Sequence, residues 1–129
     1  MTEQKELHAL TIKLRDIADQ KALEIDAVGT LTQQDYEQVA PKAELLLDEV
    51  RDDSILALVD ATQFSGWEAG AAFEDFKLGL RHNKKFKRVA IVISKDWQQW
   101  LSKLSSWFTT AEVQDFEDRD SAIVWLSRS

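Results

Sequence analysis

Two short runs of consecutive apolar residues constrain the fold more than any other feature of this sequence. Residues 55–59 and 89–93 each consist of five apolar side chains in a row. Runs of this length are typical of strands that are covered on both faces, as in the parallel sheets of α/β proteins. Because apolar residues at helical spacing separate the two runs, we expect parallel strands joined by right-handed helical crossovers.

An antiparallel hairpin is predicted ahead of these strands. Apolar and polar residues alternate in residues 10–14 and again in residues 23–28, and residues 16–20 between them have the composition of a turn. Alternation with a period of two predicts strands that bury one face and expose the other.

A helix is predicted to begin after Thr32. Thr32 suits the N-cap position, and Asp35 lies in the first turn, where the helix dipole favours a carboxylate. Leu31 and Tyr36 are spaced to form a hydrophobic staple. Apolar residues continue on one helical face past Pro41, so the proline is expected to kink this helix rather than end it.

Four more elements complete the predicted chain. A second helix covers residues 69–80 after Gly66, a third covers residues 97–108, a strand covers residues 113–116, and a last helix covers residues 118–126. The expected fold is a single α/β domain over residues 1–129, with a mixed sheet of about five strands and about four helices. The predicted order is β-β-α-β-α-β-α-β-α.

The composition excludes several classes of function. With 16 basic and 23 acidic residues the net charge is −7, which argues against a nucleic-acid partner. The chain has no cysteine, and neither His8 nor His82 has an acidic or histidine residue three or four positions later, so no metal and no cofactor is expected. The polar N-terminus and the lack of an apolar run of ~20 residues predict a cytoplasmic protein.

The acidic residues form no catalytic constellation. Asp60 follows a buried strand, at the position where open α/β sheets place ligands, but Glu74 and Asp75 point to different sides of their predicted helix. Since no nucleophile or base stands at a suitable spacing, we expect a protein that is not an enzyme.

Residues 97–108 carry three of the chain's five tryptophans at helical spacing. Their apolar side chains fall within an arc of about 120°, and the predicted stripe consists of Trp97, Trp100, Leu101, Leu104, Trp107 and Phe108. Simple packing on the sheet is one explanation of this stripe. Trp100 and Trp107 lie at its margin beside Lys103, however, which also suits the gate of an apolar pocket or a surface that touches membranes.

A basic run precedes the second apolar strand. Residues 81–88 hold five of the sixteen basic residues, which favours either a solvated loop or a contact with anionic lipid. A strand over residues 88–93 rises about 20 Å, and a helix over residues 97–108 runs back about 16 Å. Trp107 and Phe108 are therefore expected near the level of the basic run. Its predicted contact residues are Lys84, Lys85, Lys87 and Arg88.

Five sequence elements resemble the SpoIIAA-like family, which consists of small bacterial relatives of the STAS domain. They are Gly-Thr-Leu-Thr-Gln-Gln-Asp-Tyr at residues 29–36, Val-Asp-Ala-Thr-Gln-Phe-Ser-Gly-Trp at residues 59–67, Phe-Glu-Asp-Phe at residues 73–76, Ala-Ile-Val at residues 90–92 and Trp-Gln-Gln-Trp at residues 97–100. The resemblance covers essentially the whole chain and implies the fold of anti-sigma-factor antagonists. STAS-like folds are also similar to the lipid-carrying CRAL-TRIO domains, which implies an apolar ligand by analogy.

The resemblance also assigns positions around the third predicted strand. Asp60 matches the strand-end aspartate, Phe64 the loop aromatic, and Ser65 with Gly66 the remnant of a phosphorylatable Asp-Ser-Ser-Gly-like motif. This correspondence places Asp60 and Ser65 in one loop, with a helix beginning near Trp67. Because the acid and the second hydroxyl of that motif are missing, Ser65 is expected to be an unmodified N-cap.

Two functions remain open on these grounds. The first is a non-catalytic STAS-like module that holds a small lipophilic ligand and associates peripherally with membrane. The second is a partner-switching regulatory protein that contacts its partner around Ser65. For the first function the pocket and membrane residues would be Phe64, Trp67, Phe73, Phe76, Trp97, Trp100, Leu101, Leu104, Trp107 and Phe108.

Overall fold

A mixed sheet of five strands organises the protein. The computed structural model describes residues 8–50, 54–67, 85–94 and 111–128. The strands are β1 (Ala9–Ile17), β2 (Gln20–Leu31), β3 (Ser54–Trp67), β4 (Lys85–Val92) and β5 (Glu112–Phe116), and the helices are α1 (Gln33–Asp48) and α2 (Arg119–Ser127). The strands lie side by side in the order β1-β2-β3-β4-β5. Only the β1–β2 pair is antiparallel, which confirms the predicted mixed α/β sheet.

The N-terminal hairpin is confirmed and is longer than its alternating core predicts. Ile17 pairs with Gln20, so Ala18 and Asp19 alone form the turn. Both have positive φ angles, 50° and 65°. Two consecutive residues with positive φ give the turn a twist that matches the twist of the flanking strands, which explains why the hairpin closes so tightly.

Helix α1 begins as predicted. The Thr32 hydroxyl accepts the backbone N–H of Asp35 at 3.3 Å, and the Asp35 carboxylate accepts the backbone N–H of Thr32 at 2.7 Å. This reciprocal capping box satisfies two of the N–H groups that a helix start leaves unpaired. Pro41 lies inside the helix on its exposed side, and α1 continues to Asp48.

The two faces of the sheet bury separate clusters. On one face α1 covers alternate strand residues such as Ile12, Ile25 and Val59. On the other face α2 places Ala122 and Leu126 against a second set, which consists of Ile17, Ala22, Leu56, Leu58, Ala90 and Val92. The apolar runs of β3 and β4 are therefore buried on both faces, as their sequences predict.

The predicted loop after the third strand is wrong. Asp60 and Ser65 both lie within β3, which runs on to Trp67, so no helix begins between Asp60 and Trp67 and Ser65 is not an N-cap. The pairing of β2 with β3 shifts at two places. Asp26 lies opposite Asp60, but Val28 lies opposite Gln63. Gly29 then lies opposite Phe64, but Thr30 lies opposite Gly66.

Each of these register shifts inserts one extra residue into β3 relative to β2. Gly66 has a φ of 123°, which is open to glycine without steric cost. Short polar residues and glycine mark β-bulges as well as loops, and this ambiguity explains the error. The correspondence with a phosphoacceptor loop is therefore not supported by the backbone.

The described residues contain two helices rather than about four, in the order β-β-α-β-β-β-α. The helices predicted over residues 69–80 and 97–108 lie outside the described residues. The last predicted strand and helix are confirmed as β5 and α2, with Asp118 as the N-cap of α2. No helix in the described ranges is long and apolar enough to cross a membrane.

Candidate functional site

Three carboxylates from β2 and β3 meet on the face of the sheet that α2 covers. Asp26 lies directly opposite Asp60 in the parallel register, and Glu24 lies two residues earlier on β2. Side chains two residues apart on a strand point to the same face, so the three acids form one patch. The site begins with this patch.

Arg119 holds the patch together. As the first residue of α2 it donates from Nη1 to Oδ2 of Asp60 at 2.8 Å and to Oδ1 of Asp26 at 3.4 Å, and from Nη2 to Oε1 of Glu24. A cation in the first turn of a helix is disfavoured by the helix dipole. Contacts with three carboxylates offset this cost and fix the start of α2 on the sheet.

Glu24 is the most deeply buried charge in the site, with 1% of its side chain exposed. Besides Arg119, the Lys13 Nζ lies 3.0 Å from its Oε2 and the Arg15 Nη1 lies 2.9 Å from its Oε1. A buried carboxylate without partners would be strongly destabilising. Three cations from β1 and α2 therefore compensate a single glutamate.

The environments of the carboxylates shift their pKa values in opposite directions. Burial alone would raise the pKa of Asp60, but hydrogen bonds from Thr62 and Arg119 hold that pKa below its ordinary value. Burial and the nearby charge of Glu24 raise the pKa of Asp26, and Arg119 only partly opposes this. For Glu24, the cations Lys13, Arg15 and Arg119 outweigh burial and lower the pKa.

A small cleft of about 160 Å³ opens beside the patch at the first bulge of β3. Its walls include Asp26, Asp60, Thr62 and Gln63. Thr62 donates its hydroxyl at 2.7 Å and its backbone N–H at 3.1 Å to Oδ1 of Asp60. Because Asp60 already accepts these bonds and one from Arg119, it is a weak base. The arrangement suits positioning of α2 better than proton abstraction.

The structure separates the residues that the resemblance grouped around Asp60. Asp60 belongs to the charged patch, whereas Ser65 is exposed on β3 and Phe64 is buried in the core beneath α1. Trp67 ends β3. The structure therefore brings Asp60 together with Arg119 rather than with Ser65.

The basic residues that lie on β4 have different surroundings. Lys85 begins the strand and Lys87 is exposed on it. Arg88 instead donates to the carbonyl oxygens of Trp125, at 2.9 Å, and Arg128, and its guanidinium lies 5.3 Å from the centre of the Trp125 ring. These contacts satisfy carbonyls at the end of α2, so Arg88 is engaged within the protein.

The other predicted site residues lie outside the described residues. They are Phe73, Phe76, Lys84, Trp97, Trp100, Leu101, Leu104, Trp107 and Phe108.

The residues that build the charged patch carry no signal that would have predicted a site from the sequence. Glu24 and Asp26 were interpreted as the solvent side of an alternating strand, and nothing in the sequence links them to Arg119. His8 has no acidic residue three or four positions later, but its Nδ1 lies 2.9 Å from Oδ2 of the distant Asp35. One signal could have indicated a buried charge. Glu24 and Asp26 alternate with apolar residues on β2, and the two apolar strands that follow β2 are buried on both faces.

Comparisons with known proteins agree on one family. The profile of the SpoIIAA-like family matches residues 22–127. A crystal structure from Shewanella loihica PV-4, described as an uncharacterized protein from the DUF3478 family with a SpoIIAA-like fold, is 40% identical, with a TM-score of 0.76. The match covers 97% of this chain and 99% of that chain. No curated protein matches the chain.

Proposed function

The chain belongs to the SpoIIAA-like family, and we propose that it is a non-catalytic STAS-like module that binds a small lipophilic ligand and associates peripherally with membrane. The ligand would lie against the aromatic stripe of residues 97–108. The membrane contact would combine the margin of that stripe with the neighbouring basic run.

The register between β4 and β5 is the observation that carries this proposal. Glu112 pairs with Arg88, so β5 begins beside the basic end of β4. Phe108 precedes Glu112 by four residues and is tied to within about 14 Å of it by chain length. The chain thereby links Phe108, the last residue of the aromatic stripe, to the end of the sheet at which the basic run enters β4. Such a combination favours anionic lipid, in which aromatic rings insert and cations meet phosphates.

The charge balance limits the strength of such binding. The net charge of −7 repels an anionic bilayer as a whole, and Arg88 is occupied by α2. The attraction therefore rests on Lys84, Lys85 and Lys87, at about 1 kcal/mol for each cation near the surface. Since such charges act over only ~8 Å at physiological ionic strength, binding should be weak and sensitive to salt.

Two measurements test the proposal. Native mass spectrometry of the purified protein should reveal a bound apolar molecule, and sedimentation with phosphatidylserine vesicles should show binding that phosphatidylcholine vesicles do not support. Joint replacement of Trp100 and Trp107 by alanine should abolish vesicle binding and change the free energy of unfolding by about 1–2 kcal/mol, against about 3–5 kcal/mol for each core aromatic.

The lysines provide a second variant and its control. Lys84→Gln, Lys85→Gln and Lys87→Gln together should weaken vesicle binding, whereas Lys42→Gln on the exposed side of α1 should not. No bound molecule, no vesicle binding and a severe loss of stability in the tryptophan double variant would together assign the stripe to the core and reject the proposal.

A protein-interaction module is the second candidate, favoured by exposed polar side chains at the bulges of β3. Thr62, Gln63 and Ser65 are all exposed there. Because Ser65 lies on a strand, it does not stand at the N-terminus of a helix that could stabilise a phosphate on it. Phosphoproteomics of the native organism should find Ser65 unmodified. Stoichiometric phosphate on this serine would place the partner-switching function first.

A further inference from the structure

An open groove of about 410 Å³ lies between β5 and α2, on the opposite side of α2 from the charged patch. Phe116 of β5 and Val124 and Trp125 of α2 provide its apolar walls, with Asp120 and Arg128 towards its ends. Val124 is 52% exposed, one of two large apolar side chains in the described residues with such exposure. The groove therefore presents apolar surface to solvent.

β5 is the last strand of the sheet in the part of the chain that the structure describes. One of its edges pairs with β4, and the described ranges place no strand along the other. The outward backbone groups of such an edge strand are a template for pairing with an added strand. Gln114 and Phe116 of β5 line the groove, so a strand added at this edge would lie beside the groove and place alternate side chains in it.

The charged residues around the edge of β5 determine which charge an added strand should carry. Five of the nine residues from Glu112 to Asp120 are acidic. The one basic residue in this segment, Arg119, is directed to the carboxylates of β2 and β3. An acidic rim on a protein of net charge −7 disfavours pairing of two copies of β5 with each other. It attracts a basic segment instead.

The side chains of β5 point alternately to the two faces of the sheet, so an added strand should also alternate in composition. Phe116 packs with the cluster beneath α2, whereas Val113 packs with the cluster on the opposite face, and Asp115 shares that face. A strand beside β5 would therefore present every second side chain to the groove and the others to Asp115. Apolar residues suit the first positions and basic residues suit the second.

We propose that the β5–α2 groove is a docking site for an extended segment of a partner protein in which basic and apolar residues alternate. The segment pairs with the outer edge of β5 as a sixth strand. Its apolar side chains lie against Phe116, Val124 and Trp125, and its basic side chains meet Asp115 on the opposite face of the sheet. The site is separate from the ligand and membrane functions proposed above, so each stands or fails independently.

The test uses the full chain and the acetylated, amidated peptide Thr-Lys-Val-Lys-Val-Lys-Thr as the probe. Titration into isotope-labelled protein should shift the backbone amide signals of β5 and the indole signal of Trp125, with weaker binding at about 0.15 M salt than at low salt. The same peptide with glutamate in place of lysine should not bind. A version that is N-methylated at both the lysines and the valines should lose binding, because the N–H groups that face β5 are then blocked in either strand direction.

Matched protein variants separate the groove from general effects. Val124→Asp and Asp115→Lys should each weaken peptide binding by about tenfold or more. Leu45→Asp, at the 66% exposed apolar residue of α1, should leave binding unchanged. Sedimentation and circular dichroism confirm that each variant remains folded and identify its oligomeric state.

Three outcomes would overturn the proposal. The first is the absence of any shift in β5 amides at about 1 mM peptide, which corresponds to the weak end of measurable affinity. The second is equal binding of the N-methylated or the acidic peptide. The third is a dimer of the protein that Val124→Asp dissociates, because the groove would then belong to a second copy of this chain.

Discussion

Arg119 and Asp60 join the first turn of α2 to the centre of the sheet through a hydrogen-bonded ion pair of 2.8 Å between Nη1 and Oδ2. The same guanidinium also reaches Asp26 and the buried Glu24. One side chain thus positions the only helix that, among the described residues, covers this face of the sheet.

Arg119→Ala should lower the free energy of unfolding by about 2–4 kcal/mol, because it leaves buried carboxylates with fewer partners. Urea unfolding monitored by circular dichroism measures the loss. Asp120→Ala, at the exposed neighbour, should change stability by less than about 0.5 kcal/mol. A loss of that small size in Arg119→Ala would show that α2 docks through its apolar residues alone.

Asp26→Asn and Asp60→Asn should have opposite effects on stability at neutral pH. Asp60 accepts charge-assisted hydrogen bonds in the folded state, so its loss should cost about 1–2 kcal/mol. Asp26 is buried beside Glu24 and its pKa is raised. Neutralising it should therefore stabilise the protein, by up to about 1 kcal/mol after allowance for solvent screening.

The dependence on pH follows from the direction of the Asp60 shift. Its pKa is lower in the folded state than its ordinary value of 3.8, so its stabilising contribution is complete above that value and is lost as the pH falls through the folded pKa. The difference in stability between the native protein and Asp60→Asn should therefore be constant near neutral pH and shrink below about pH 4. A difference that persists in acid would assign the effect to geometry rather than charge.

Thr32→Ala and Ser65→Ala test which hydroxyl caps a helix. Thr32 caps α1 in a complete capping box, so its replacement should cost about 1 kcal/mol. Ser65 is an exposed residue within a strand, and its replacement should stay within about 0.5 kcal/mol. Thermal unfolding of the two variants under identical conditions makes the comparison. A larger cost for Ser65→Ala than for Thr32→Ala would indicate that Ser65 caps a helix and does not lie in a strand.

Arg88→Lys and Lys87→Gln separate a structural cation from a surface cation. Arg88 donates from Nη1 to two carbonyls at the end of α2 and stacks its guanidinium on the Trp125 ring. Lysine lacks the planar group that makes both contacts at once, so Arg88→Lys should cost about 1–2 kcal/mol. Lys87→Gln should leave stability unchanged and weaken binding to phosphatidylserine vesicles. Equal effects of the two variants on the free energy of unfolding would show that Arg88 does not stabilise the end of α2.

The sequence by itself determined the elements whose signals are local. Apolar runs and alternating patterns predicted β3, β4 and the hairpin, and Thr32 with Asp35 marked the start of α1, because strand burial and helix capping act between residues close in the chain. The motifs at residues 29–36 and 59–67 also placed the chain in its family, which the family profile and the Shewanella structure confirm. The aromatic stripe was visible as well, and its role remains a prediction.

Tertiary structure decided the course of β3 after Asp60 and the make-up of the charged patch. Asp60, Ser65 and Gly66 have the same local preferences in a loop and in a bulged strand, so pairing with β2 was needed to choose between them. Glu24 and Arg119 lie 95 residues apart. A buried glutamate is stable only when distant cations converge on it, and no pattern along the chain encodes that convergence because it arises from the packing of α2 on the sheet.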